Sequence, residues 1–360
     1  MTLDADVVRG VPGVRSLPRI PQLDGVRAVA ISLVVCLHLS PQLFPGAFIG
    51  VDIFFVLSGF LITVVLLNSV RSDGSLSYRK FYLRRARRLL PAVSVLLIAD
   101  LIHAIVATNG RLLLAHLITV AGAFLYVINW AGAFGHDVPW QMDHLWSLSV
   151  EEQFYLCWPV VLMFLVRRLP ARRALLVTGG IAALSWVLRA AVWAPSREGL
   201  AYASTVTRAD GLLLGCMLGQ AYARRLCDDL LRALRRRAVG WGALAGILVL
   251  VPHISQTHAA AYFFSMGIAG IFSGLLIAHM VGDGTSAAPG GVARLLGARP
   301  VTALGRRAYS IYLWQNPIMF WLSGPLRVSP ARWPVNIAAT LICAELSYRL
   351  IERPFLRLPV

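Results

Sequence analysis

Arg27 and His38 stand eleven positions apart in the stretch LDGVRAVAISLVVCLHL, which begins at Leu23. At about 100° per residue, eleven steps close on three turns, so both fall on one face of a helix, roughly 16 Å apart along its axis. A guanidinium keeps its charge and grips phosphate or carboxylate with paired N–H groups. An imidazole exchanges a proton near neutral pH and serves as general acid, base or nucleophile. Two such groups on one face of an apolar helix are costly in lipid, which points to function rather than packing. Two carboxylates join them in the same kind of setting: Asp52 in FIGVDIFFVLSGFLI and Glu151 in HLWSLSVEEQFYLCWP.

The elements that carry these residues are long apolar runs. The chain has 360 residues, is 58% hydrophobic and carries a formal charge of +17, with a mean hydropathy of +0.68. Eleven apolar runs recur, at 26–39, 47–68, 89–107, 112–130, 146–166, 174–193, 208–223, 239–254, 262–281, 302–322 and 333–351. The fold class read from them is all-α, a polytopic helical bundle in a lipid bilayer. The basic charge does not point to nucleic acid, because the arginines cluster in short linkers between the runs. Arg79 to Arg88, Arg167 to Arg173 and Arg224 to Arg237 mark three cytoplasmic linkers by the positive-inside rule. Linkers 40–46, 131–145 and 252–261 carry no Lys or Arg and face outward. Parity then leaves one run that does not cross. The choice is 112–130, which holds His116 and Asn129 and reads as a re-entrant or interfacial segment. The expectation is about ten spans with both termini cytoplasmic, a tail over 1–20 and one membrane domain over 21–360. The cysteines lack metal-type or CxxC spacing, and no metal site is expected, including among His136, Asp137, Asp143 and His144.

With the N-terminus inside, His38, Asp52 and Glu151 come out at similar depth toward the outer side, as one acid/base group drawn from three helices. The inner side is basic: Arg85 and Arg88 in FYLRRARRLLP, with Arg84, Arg87, Arg306 and Arg307, and Arg27 just within the membrane. Such a cluster suits phosphate binding, although for the exposed arginines alone membrane anchoring is the plainer account. Arg208 and Asp210 read equally as a local structural pair or a substrate contact. Tyr312, with Tyr309 and Trp314, reads as a packing face or pocket wall, and Gln315 as a mid-membrane polar group in need of a partner. Glu352 reads as the partner of a nearby arginine and Asp24 as a helix cap.

The stretches LDGVRAVAISLVVCLH, FIGVDIFFVLSGFLI, FYLRRARRLLPA, HLWSLSVEEQFY, TRADGLLLG, LGRRAYSIYLWQNP and SYRLIERPF, in this order, resemble acyltransferase family 3. These are multi-span bacterial membrane enzymes that modify surface glycans and some natural products. The resemblance covers nearly the whole chain. It implies an acyl-CoA donor approached from the cytoplasm, acetyl-CoA first among the expectations, with no bound cofactor. It implies a hydroxyl-bearing acceptor, a glycan or small natural product, and a multi-pass location in the cell membrane. It also implies functional roles for Arg27, His38 and Glu151, and donor binding by Arg85 and Arg88. Where many members carry histidine after YLW, this chain has Gln315, which cannot act as a base. Members often carry an additional esterase-like domain, which is not expected here.

The reading reached is O-acyl transfer with His38 as general base, or as the less favoured covalent acyl carrier. Glu151 and Asp52 orient His38. Tyr155 or Gln315 supplies the oxyanion donor, and Arg208, Tyr312 and Glu352 contact substrate. The rivals are a transporter with a polar relay and a catalytically inactive homologue.

Overall fold

A computed structural model describes residues 14–15, 17–73, 76–108, 113–283, 286, 289–323, 329 and 331–357. Most of the tail expected over 1–20 lies outside the described residues. The elements in chain order are α1 (Pro21–Leu39), α2 (Ile49–Asp73), α3 (Tyr78–Thr108), α4 (Leu113–Phe124), α5 (Ile128–Ala133) and α6 (Trp140–Asp143). Then come α7 (Leu145–Arg168), α8 (Ala171–Val192), α9 (Glu198–Ala203), α10 (Thr205–Ala223), α11 (Asp228–Ala233) and α12 (Arg237–His253). The chain closes with α13 (Met266–Asp283), α14 (Gly291–Leu296), α15 (Arg299–Arg306), α16 (Ala308–Trp321), α17 (Arg332–Ser347) and α18 (Arg353–Leu356). No strand occurs among the described residues.

The solvation is inverted relative to a water-soluble bundle. Large apolar side chains face outward: Ile98, Ile102 and Val106 on α3, Leu156, Val160 and Phe164 on α7, Leu176, Leu184 and Val187 on α8. Charged side chains such as Asp52, Asp100, Arg189 and Arg208 are buried. A hydrocarbon surround accounts for both facts, since exposed apolar bands cost nothing there and ionic groups must find partners inside. Among the described residues six helices are long and apolar enough to cross a bilayer. The other runs form shorter or charge-bearing helices. The run 302–322 is split at Arg307 into α15 and α16, and 333–351 ends in a π-helical turn at Tyr348–Glu352.

The run 112–130 becomes two pieces. Its α4 has 12 residues, about 18 Å long against a hydrocarbon core of about 30 Å. Tyr126, at φ 55°, reverses the chain before α5. The run's two most polar side chains are held by protein. His116 donates from Nδ1 to Asp100 at 2.7 Å, and Asn129 donates to the Ala203 carbonyl at 3.1 Å.

Glycine sets the two helix contacts that matter for the site. A Cβ on Gly305 would lie 1.7 Å from the Asp24 carbonyl oxygen, and one on Gly59 would lie 1.8 Å from that of Leu212. Only glycine lets these backbones touch. The first contact clamps α15 onto α1 and brings Arg306 beside Arg27. The second clamps α2 onto α10 and brings Asp52 beside Arg208.

Candidate active site

A cavity of about 410 Å³ lies between α1, α2, α3, α7, α16 and the chain around Tyr348–Glu352. Arg27, Arg85, Arg88 and Arg306 line it, together with Asp24, Glu151 and Glu352. Four cations from three separate segments therefore converge on one space. Helix geometry explains α3's contribution, because Arg85 and Arg88 are three residues apart and share a face. Tyr155 is one turn beyond Glu151 on α7, so both point the same way, and Ser58 of α2 lies against both.

The arginines are not equivalent. Arg85 is committed to protein: Nε and Nη2 donate to Glu152 at 3.0 and 2.5 Å, and the guanidinium carbon sits 3.2 Å from the centre of the Tyr155 ring. Arg27 pairs with Asp24 at 2.5 Å. Asp24 is thus one turn inside α1, whose first residue is Pro21, and does not cap it. Arg307 turns away to Glu345, with Nη2 to Oε1 at 3.0 Å. Arg88 and Arg306 are exposed and form no ion pair among the described residues. They are the lining cations with no carboxylate partner, although Arg306 Nη1 donates to the Thr302 hydroxyl at 3.3 Å. Glu352 is buried and accepts from the Ser310 hydroxyl, not from an arginine. Glu151 is half-buried in the cavity wall, and its buried Oε1 has no partner among the described residues.

The inner end of the cavity is closed by Tyr312 and Ser147, whose hydroxyls are 2.6 Å apart. Tyr312 also donates to the His144 carbonyl. Beyond this hydrogen bond lies a second layer. The His144 ring is 5.2 Å from that of Tyr312, and the His144 and His38 rings are near enough for their charges to interact. His38 does not line the cavity. It is half-buried, with its ring edge-on to Trp140 at 6.3 Å. Its Nδ1 is 2.8 Å from the Val34 carbonyl. A carbonyl can only accept, so Nδ1 carries the proton and Nε2 of the neutral ring presents a lone pair.

The grouping expected from sequence therefore changes. Arg27, Arg85, Arg88, Tyr155, Tyr312, Glu352 and Glu151 share one cavity, whereas His38 lies above it. Glu151 is six residues into α7, about 9 Å along the axis from its first residue, while His38 is the penultimate residue of α1. Asp52 does not orient His38. It accepts from Arg208 at 2.8 Å, and Arg208 is ringed by Phe55, Trp146 and Tyr202 at 5.5–5.6 Å. Arg208 and Asp210 are not a pair either, since Asp210 takes Arg189 at 2.6 Å. This mutually neutralised set holds α2, α8 and α10 together and does not line the arginine cavity. Gln315 is fully buried with neither amide atom partnered, so the partner expected for it is absent among the described residues.

Three residues escaped the sequence reading. Glu152, beside Glu151, holds Arg85. Ser147 pairs with Tyr312. His144, expected only as a candidate metal ligand, immediately precedes α7 and lies near His38, and its place at a helix start is the available signal.

The comparisons bear on the same residues. The family model described as an acyltransferase domain, acyltransferase 3, matches residues 20–349. Peptidoglycan O-acetyltransferase OatA of Listeria monocytogenes is 32% identical over 351 residues, 93% of this chain and 55% of that protein. YrhL of Bacillus subtilis, named as a candidate peptidoglycan O-acetyltransferase, is 34% identical over 358 residues, 93% of this chain and 54% of its own. A candidate O-acetyltransferase of Staphylococcus aureus strain COL is 30% identical over 365 residues, 96% of this chain and 59% of its own. The chain thus spans little more than half the length of these curated relatives. No solved structure matches it significantly. A match over residues 20–349, which holds every cavity-lining residue except Glu352 and Leu356, places this chain in the acyltransferase 3 family.

Proposed function

We propose that this protein transfers an acyl group, acetyl first among the candidates, from cytoplasmic acyl-CoA to a hydroxyl of an envelope glycan. The names of the relatives favour peptidoglycan. The observation that carries the reading is the two-layer site. Below is a cavity whose mouth holds two unpaired guanidiniums, and above it is a neutral histidine with a free Nε2. Arg88 and Arg306 suit the CoA phosphates by charge-assisted hydrogen bonds. The Arg27–His38 interval of about 16 Å is comparable to the reach of a pantetheine arm. The thioester would then stand at Tyr312 and Ser147.

In this reading His38 Nε2 takes the proton of the acceptor hydroxyl as its oxygen attacks the thioester carbonyl. The C–O bond forms, the C–S bond breaks, and the proton passes to the CoA thiolate. Tyr312 or Tyr155 is the oxyanion donor, a task that asks for a hydroxyl aimed where charge develops. Glu151 lines the thioester's path and holds Arg85 and Arg88 electrostatically. Acyl-CoA is a substrate here, and no resident cofactor is part of the reading. The topology that goes with it is about ten spans, with both termini and the arginine mouth cytoplasmic.

The test is release of CoA thiol in the presence of acceptor by the purified, bilayer-embedded protein. His38→Ala is expected to keep the melting temperature and acyl-CoA binding and to lose transfer. Wild-type turnover in that variant removes His38 from the chemistry. A wild type that moves a glycan across the bilayer without consuming acyl-CoA supports transport instead.

A further inference from the structure

Ser147 and Tyr312 each carry one hydroxyl proton, and their partners fix where both protons go. The two side chains are buried and line the closed end of the arginine cavity. Tyr312 bonds to the His144 carbonyl and to the Ser147 hydroxyl, the latter at 2.6 Å. A carbonyl only accepts, and a phenol has one proton to give. Tyr312 therefore donates to His144, and Ser147 donates to the Tyr312 oxygen. Donation runs in one direction, from Ser147 through Tyr312 to the backbone at the start of α7.

Other helical hydroxyls in this molecule behave differently. Ser149, Thr119, Thr178 and Ser273 each turn back onto the carbonyl four residues earlier in their own helix, the local way for such a hydroxyl to be satisfied. Ser147 makes no such bond among the described residues and gives its proton to α16 instead. It stands one turn before Glu151 and two before Tyr155, on the face of α7 that lines the cavity. Tyr155 is thus about 12 Å further along the axis, beneath the guanidinium of Arg85. Tyr312 is the phenol at the end nearer His144 and His38.

The bond from Tyr312 to His144 is replaceable. His144 is the N-cap of α7, and an N-cap carbonyl already accepts the first bond of its helix. It stays partnered when Tyr312 turns its proton elsewhere. An acyl-donor carbonyl brought to the end of the cavity offers such an acceptor. The Ser147 hydroxyl then keeps the phenol oxygen in place, and donation into that oxygen strengthens the bond the phenol gives.

We infer that Ser147 is a positioning residue that holds the Tyr312 hydroxyl for the thioester oxygen of the donor, which takes over the bond now given to the His144 carbonyl. This rests on the functional reading above and selects Tyr312 over Tyr155 as oxyanion donor. Tyr312 keeps its proton throughout, and only the acceptor changes.

The test compares two ligands of the full protein in lipid nanodiscs by calorimetric titration. Acetyl-CoA carries the thioester oxygen, and S-ethyl-CoA, the corresponding thioether, lacks it. The wild type is expected to prefer acetyl-CoA by about two- to tenfold, the worth of one neutral hydrogen bond. Tyr312→Phe and Ser147→Ala are expected to abolish that preference, and Ser147→Thr, which restores the hydroxyl, to keep it. S-ethyl-CoA should bind all three variants within twofold of wild type, which shows them folded with the arginine mouth intact. Weakening of both ligands alike in Tyr312→Phe and in Ser147→Ala marks a merely structural role and overturns the inference. So does equal affinity of the two ligands for the wild type, or a preference that survives in either variant. A wild type that binds neither ligand sinks the acyl-CoA reading itself. The expected preferences without CoA release in the presence of acceptor would sink acyl transfer and leave the Ser147–Tyr312 assignment standing.

Discussion

Arg85 and Arg88 are three residues apart on the same face of α3, and both line the cavity, yet their loss should have different consequences. Arg88 forms no ion pair among the described residues, so Arg88→Ala removes a contact to ligand and little else. A hydrogen bond between a charged donor and a phosphate is worth about 1.5–3 kcal/mol. Arg88 stands at a solvent-exposed mouth, where screening favours the lower end of that range. At about 1.4 kcal/mol per decade, the expected loss is about 10- to 30-fold in the Kd for acyl-CoA. The melting temperature should be unchanged. Arg85→Ala is the contrast. It strands Glu152, whose side chain is only 14% exposed, and uncovers the Tyr155 ring. Leaving a buried acceptor unpaired costs about 1–3 kcal/mol, and more when it is charged. That variant should lose stability as well as affinity. The assay is calorimetric titration of acetyl-CoA into nanodisc-embedded protein, alongside thermal unfolding followed by tryptophan fluorescence. An Arg88→Ala protein that binds within twofold of wild type, or one that unfolds as readily as Arg85→Ala, refutes the division of labour between the two arginines.

Three further outcomes follow from packing and charge. Arg208→Met leaves Asp52 buried without its guanidinium and should cost about 3–5 kcal/mol, with part of the loss recovered in Asp52→Leu/Arg208→Met; the measurement is thermal unfolding of the three proteins. Gly305→Ala forces α15 off α1, because its Cβ would lie 1.7 Å from the Asp24 carbonyl oxygen, and overpacking of this kind costs about 1–3 kcal/mol. Since Arg306 moves with α15, acetyl-CoA affinity should fall with stability, and a variant with wild-type values of both would contradict the clamp. Tyr312→Phe deletes the hydrogen bonds to Ser147 and the His144 carbonyl. It should lower stability by about 1–3 kcal/mol, measured by the same unfolding assay.

Much of this molecule was legible in its residues. Helical period and run length are local properties, so the all-α membrane class, the shared face of Arg27 and His38 and the shared face of Arg85 and Arg88 could be read directly. The run 112–130 stood out as well, since His116 and Asn129 are polar groups that lipid does not tolerate, and it forms a 12-residue α4 followed by the short α5. Depth was legible only in part. Glu151 does lie about one and a half turns into its helix, as α7 starts at Leu145, but the cavity takes in Glu151 and leaves His38 out.

Partner choice is the element that local pattern does not hold. Arg208 and Asp210 lie two residues apart in the chain, yet each finds its counter-charge on another helix, because residues two apart point to different sides of a helix. Arg85 and Arg88 look alike in sequence, and only the packing of α7 against α3 gives one of them Glu152 and leaves the other free. The sequence by itself determined which residues could do chemistry and which solvent they must live in, because those depend on side-chain type and short-range period. The tertiary structure alone decided which of those residues line the cationic cavity and which, His38, Asp52 and Arg208 among them, lie outside it. Contacts between helices far apart in the chain, set by glycines that let backbones touch, determine which groups meet.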